Sequence, residues 1–179
     1  TSFSTIGVQN GKWYCEAKFL SGEMKQYIGI SKPQDTMDYL GQSANSYGFA
    51  GENGRKWNNG SYSAGYGSAA STGDIMMVAF DADNGTIWVG QNGTWFSSAT
   101  EGEIEAGTTT NAMYSSITID DFFVVGVTIE DSNVEMNFGN PPYANSSSVS
   151  DGNGYGDFEY SVPDGFLSLC TKNLGSTGG

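Results

Sequence analysis

Residues 75–80 (IMMVAF) contain no polar position. As an extended strand, Ile75, Met77 and Ala79 face one way and Met76, Val78 and Phe80 the other. A strand with two apolar faces is one covered on both sides. Asn84-Gly85 then reverses the chain, since both residues accept the positive φ of a tight hairpin. Residues 86–91 return, Asn92-Gly93 turns again, and residues 94–96 begin a third strand. The pattern over residues 73–96 predicts a β-meander at the centre of a sheet.

The remaining segments read as what pairs with that meander and covers it. Residues 11–19 alternate, with Trp13, Cys15, Ala17 and Phe19 on one face and Tyr14, Glu16 and Lys18 on the other, as a half-buried strand does. Ser21-Gly22-Glu23 predicts a turn, and residues 26–31 the next strand, which Pro33 ends for want of an N–H. Residues 33–46 read as a loop with one helical turn around Asp35 to Leu40. Residues 46–50 and 55–58 form a hairpin through Glu52-Asn53-Gly54, and residues 59–72 a surface loop bearing Tyr62 and Tyr66. Residues 97–116 are a polar connection.

Residues 122–130 are a second strand apolar on both faces, and in residues 134–138 Val134, Met136 and Phe138 point inward. A Gly/Ser/Asn/Pro-rich loop follows over residues 139–157. Residues 158–160 and 166–170 close the set as short strands. No stretch keeps a helical period for three turns. About ten to twelve short strands between turn signals predict an all-β chain, a two-sheet antiparallel β-sandwich.

Length and charge narrow the function. The 179 residues make one domain, taken as residues 1–174, with residues 175–179 as a flexible tail or truncated linker. Seven basic against 20 acidic residues leave a net charge of −13, a field that repels phosphate backbones and anionic membrane surfaces. Nucleic acid is excluded as a partner on that ground. No window approaches the length of apolar chain that spans a bilayer, so no membrane insertion is expected. The chain opens on Thr1 rather than Met, without a signal-peptide pattern, and is read as a processed chain or a piece of a longer one. Cys15 and Cys170 are too few for a metal site. Two small buried thiols is the plainer reading, with a disulfide open if the first and last strands are neighbours.

The order of the motifs resembles a known family. Gly11-Lys12-Trp13-Tyr14-Cys15-Glu16 is similar to the opening G-x-x-Y-x-E strand of SPRY domains, and Tyr27-Ile28-Gly29-Ile30 to their short V-G-V strand. Ser46-Tyr47-Gly48-Phe49 with Gly54-Arg55-Lys56 resembles their S-Y-G-x … G-x-K hairpin. Gly73 to Asp81, followed by Asn84-Gly85-Thr86-Ile87 and Asn92-Gly93, resembles the central G-D-x-I-G-V-x-x-D … G-T-L core, with Met77 where the motif has Gly. Val134-Glu135-Met136-Asn137-Phe138-Gly139 resembles the terminal V-x-x-N-F-G.

The resemblance implies a concanavalin A-like jelly roll and a non-catalytic recognition module that binds partners through loops at one edge. The closing residues 154–174 resemble the ends of SPRY-like modules in structural proteins of tailed bacteriophages, marine ones especially. That implies a virion protein on a capsid surface or tail appendage. Its task would be adhesion and host recognition, contacting a host-surface glycan or protein or a neighbouring virion protein. An intracellular SPRY adaptor gripping short peptides is the alternative. No heptad segment is present to trimerise the chain, which leaves an oligomer open.

Candidate chemistry is sparse. The absence of histidine removes Ser-His-Asp and Cys-His catalysis and histidine-bearing zinc sites. Glu101, Glu103 and Glu105, if extended, would share a face at a spacing of about 6–7 Å, which keeps paired-carboxylate glycoside hydrolysis as a third reading. The E-x-D-x-x-E pattern of sandwich glucanases is absent, and a solvated acidic loop is the plainer account. Asp151, Asn153 and Asp157 offer oxygens at calcium-loop spacing with Gly156 sixth, but Val162 stands where the twelfth position needs a bidentate acid. A solvated turn is again plainer, and no cofactor is called for. Binding would fall to loop aromatics, whose flat faces stack on sugars or fill partner pockets. The candidates are Tyr47, Trp57, Tyr62 and Tyr66, with Arg55 and Asn58 as hydrogen-bonding neighbours.

Overall fold

A computed structural model describes residues 1–21 and 25–177 and gives them twelve strands and two short α-helices. In chain order the first six strands are β1 (Ser2–Val8), β2 (Lys12–Ser21), β3 (Gln26–Ser31), β4 (Ser46–Ala50), β5 (Arg55–Asn58) and β6 (Ser61–Ser63). The meander follows as β7 (Ile75–Asp81), β8 (Thr86–Gln91) and β9 (Thr94–Trp95), then a 3-10 turn and α1 (Glu101–Glu105). The chain closes with β10 (Phe123–Ile129), β11 (Asn133–Asn137), β12 (Leu167–Ser168) and α2 (Thr171–Thr177).

Two six-stranded sheets face each other. One runs β1-β10-β3-β4-β5-β6; the other runs β11-β2-β7-β8-β9, with β12 pairing β2 in parallel and every other pairing antiparallel. This is the expected sandwich. The inward residues of β2 and β7 (Trp13, Cys15, Ala17, Phe19; Met76, Val78, Phe80) meet Ile28, Ile30, Phe49, Phe123, Val125 and Val127 in the main core. Cys15 and Cys170 are both free thiols, and burial raises the Cys15 thiol far above its ordinary range.

The two-faced apolar strands are explained by layers outside the sheets. On the outer face of the second sheet, Tyr14, Met77, Ala79, Trp88 and Trp95 pack under Ile104 of α1 and under Phe158 and Phe166 of the closing segment. Glu16, fully buried there, fastens that cover. Its carboxylate accepts from the backbone N–H of Glu159 at 3.0 Å and Tyr160 at 2.9 Å, from both Tyr14 and Tyr143 hydroxyls, and from Asn137 Nδ2. Burial pushes the Glu16 carboxyl above its usual range although these donors pull it back.

Several local expectations are corrected. β1 is an edge strand too polar to read: it is mostly exposed or half-buried, with a register irregularity between Phe3 and Gly7. No helical turn forms at residues 35–40, because side chains satisfy the backbone there. Leu40 N–H donates to Thr128 Oγ1 and Gly41 N–H to Ser46 Oγ. Residues 97–116 contain α1, started by a capping box of Thr100 and Glu103. Around residue 158 only a bridge forms, Val149 to Phe158. The expected tail begins inside α2, and its residues 178–179, like the turn at Gly22-Glu23, lie outside the described residues. Among the described residues no helix is long and apolar enough to cross a membrane.

Candidate functional site

Cross-strand register places Phe3, Gly126, Gly29, Gly48, Trp57 and Tyr62 in one row across the first sheet. Side chains alternate along a strand, and the neighbours Val125, Ile28 and Phe49 are core, so the row lies on the outer face. Its three glycines form a trough in which Leu40 is fully buried. A Cβ on Gly48 would stand 2.5 Å from the Leu40 carbonyl oxygen, so the loop over residues 33–45 lies directly on the strand backbone. That close approach sets Tyr39 beside Trp57.

The result is an aromatic cluster at the β5–β6 margin. Ring centroids are 5.5 Å apart for Tyr27 and Tyr39, 5.3 Å for Tyr39 and Trp57, and 4.9 Å for Trp57 and Tyr62. The Arg55 guanidinium lies 4.2 Å from the Tyr62 ring centre, a cation–π contact that fixes both side chains. Tyr62 is 51% exposed on an edge strand exposed throughout, whereas Tyr39, Arg55 and Trp57 are half-buried. Burial, helped by Glu52 and Tyr39, pushes the Tyr27 hydroxyl up to about 12, so at neutral pH it is an uncharged hydrogen-bonding group.

The six candidate residues divide between two faces. Arg55, Trp57 and Tyr62 share the outer face. Tyr47 and Asn58, paired across β4 and β5, point to the inner side. Tyr47 packs on Tyr114 at 5.2 Å and on Phe123 at 6.4 Å. Asn58 Nδ2 donates to the carbonyls of Ala44 and Ser46, holding the loop. Tyr66 is a correction: it is only 6% exposed, meets the stacked rings of Phe49 and Phe96 edge-on, and its hydroxyl accepts from the Val89 N–H at 3.2 Å. Its apolar surroundings took the ring out of the surface loop. Tyr27 and Tyr39 join the cluster without having been singled out. Lys56 also turns inward, its ammonium donating to the Met113 carbonyl and facing the rings of Tyr66 and Tyr114, where burial lowers its pKa.

Residues 12–141 match the family model of the SPRY domain. The chain belongs to the SPRY domain family. SPRY domains are in general binding modules that mediate protein interactions, and the aromatic cluster lies wholly within the matched residues. Beyond the match, this SPRY domain uses residues such as Phe158 and Phe166 to cover its second sheet.

Two of the three glutamates considered for hydrolysis have structural partners in this SPRY domain. Glu103 accepts from the Thr100 N–H at 2.8 Å and is held below its usual range by that bond; Glu105 accepts from the Asp164 N–H at 2.9 Å. The three glutamates are helical, so the extended face that suggested hydrolysis does not form. Among the described residues, no group of three or more Cys, Asp or Glu side chains is gathered to hold a metal.

Asp151 instead accepts from the N–H groups of Asn153, Tyr155 and Ser168, from Ser168 Oγ and from Asn173 Nδ2. Asn153 donates to Asn173 Oδ1, and Asp157 accepts from Asn145. The calcium reading of Asp151, Asn153 and Asp157 gives way to a hydrogen-bonded loop tied to α2. Burial raises the Asp151 carboxyl, but the donors outweigh it and hold it below the ordinary range. A depressed folded value means its stabilisation is present above the unfolded pKa, about 3.9, and lost as pH falls through the folded one. Asp151→Asn is expected to be less stable than wild type at pH 7, with the gap narrowing below about pH 4. Urea titrations across pH check this, and a gap independent of pH would contradict it.

Proposed function

We propose that this SPRY domain is the recognition module of a bacteriophage virion protein, displayed on a capsid surface or tail appendage. It holds a host-surface glycan or protein, or a neighbouring virion protein, against Arg55, Trp57, Tyr62 and Tyr39. The observation that carries the reading is the Tyr39–Trp57–Tyr62 cluster with Arg55 stacked on its exposed member. Aromatic faces beside a guanidinium are what binding hot spots are made of. The virion setting rests on the resemblance of residues 154–174. The strongly acidic charge agrees with a surface that avoids nucleic acid. The family's engagement in protein interactions favours a second reading, an adaptor for short peptides of a client protein.

Glycan and peptide arrays probed with wild type and Tyr62→Ala separate these readings. Tyr62 is exposed, so the variant keeps its fold within about 0.5 kcal/mol while binding falls about tenfold or more, the loss of a hot-spot aromatic. Glycan hits support host reading, and peptide hits the adaptor. Hits retained in full by Tyr62→Ala exclude this surface.

A further inference from the structure

A cavity of about 450 Å³ lies at the opposite margin, where the end of β11, the loop around Tyr155 and the start of α2 converge. We infer that it is a binding site for an apolar carboxylate, meaning an aromatic or aliphatic group that ends in a carboxyl. It stands apart from the recognition surface and does not depend on it. The volume falls in the range of small-molecule sites, roughly 300–1,000 Å³.

Three features select the ligand. Met136, Phe138 and Leu169 give the cavity an apolar side, and the half-buried sulfur and ring leave that surface open to a guest. Tyr155, 37% exposed, forms an aromatic wall with the Lys172 ammonium held 5.1 Å from its ring centre. In a chain of 20 acidic and seven basic residues, no Asp or Glu among the described residues lines this cavity, while a lysine does. A guest's apolar part would cover the Met136–Phe138–Leu169 side and its carboxylate would meet Lys172.

The walls are set in advance. Asp151 binds the N–H of Tyr155 on one side and Ser168 and Asn173 on the other, so the loop and the start of α2 are held together before a ligand arrives. Pre-organisation of this kind lowers the ordering cost of binding. A smaller hollow of about 80 Å³ shares Met136 and Phe138 and runs toward Phe3 and Val127.

The chemistry has two sources, a free small acid or the C-terminal residue of a polypeptide. The probes are 3-phenylpropanoate and two short peptides ending in Phe, one with a free carboxylate and one amidated. Each is titrated into wild type, Lys172→Gln and Thr171→Trp, following amide chemical shifts. Lys172 and Thr171 are exposed, so both variants keep the fold. Binding that perturbs residues 136–140, 154–156 and 169–172 is expected, favouring free acid over amide about three- to tenfold. Lys172→Gln abolishes that preference, and Thr171→Trp, which narrows the mouth, weakens every probe. Tighter binding of the small acid assigns the site to a free ligand, and tighter binding of the free-acid peptide to a chain terminus. Equal affinity for acid and amide, no change in Lys172→Gln, or no saturable shifts at these residues overturns the inference.

Discussion

Replacing Glu16 by alanine lowers the stability of the domain by about 3–5 kcal/mol. The carboxylate is the shared acceptor for five donors drawn from three parts of the chain: Tyr14 on β2, Asn137 on β11, and Tyr143, Glu159 and Tyr160 in the stretch between β11 and β12. Alanine leaves two backbone N–H groups and two tyrosine hydroxyls without that acceptor, and a buried unpaired donor costs about 1–3 kcal/mol. Tyr160 and Phe158 pack on the outer aromatic cluster, so the damage extends to Trp88 and Trp95. Residues around 143–160 should therefore gain hydrogen exchange before the sheets do. Urea unfolding gives the magnitude and exchange gives the order. Glu16→Gln, which keeps one acceptor oxygen but turns an amide NH2 toward the donors, should fall between wild type and the alanine variant. A stability change under 1 kcal/mol in the alanine variant would contradict the role.

Gly41→Ala is the second large effect, a loss of about 2–4 kcal/mol together with the recognition surface. Gly41 has φ +93°, and an added Cβ would stand 2.3 Å from the Trp57 Cβ and 2.6 Å from the Trp57 carbonyl oxygen. Backbone strain accounts for a minor share; the rest is collision with the strand that presents Trp57. The loop must lift, and with it Leu40 leaves the glycine trough and Tyr39 leaves Trp57. Gly65→Ala separates the two causes. Its φ is +77°, yet nothing lies within 4 Å of the added Cβ, so strain alone remains, about 1 kcal/mol. Thermal unfolding of both variants and near-UV circular dichroism of the tryptophan bands read the difference. Equal losses in the two would show that contact with Trp57 is not what fixes the loop.

The strands that were legible are those whose side chains carry their own periodicity. Residues 75–80 and 122–130 announced cover on both faces, and the covers exist: α1 with the closing segment over one sheet, the loop bearing Leu40 over the other. β1 and β6 were not legible, because an exposed edge strand needs no apolar pattern. The recognition surface was half readable. Arg55 and Trp57 share a face and Asn58 cannot join them, which alternation alone implies once residues 55–58 are a strand. Tyr39 could not be found that way. Its place depends on Gly126, Gly29 and Gly48 falling in register on three strands, a relation among segments far apart in sequence. Tyr66 misled for a similar reason: its loop is polar on both sides, and only the fold brings Phe49, Phe96 and the Val89 backbone around its ring.

The central claim is that partners are met on the outer face of β5 and β6. Hydrogen–deuterium exchange of the wild-type domain, alone and saturated with its tightest array ligand, tests it most directly. The account predicts new protection over residues 37–41 and 55–63, with little change elsewhere. Protection confined to other loops, with residues 55–63 unchanged, would contradict it and move the recognition surface to another edge of the sandwich.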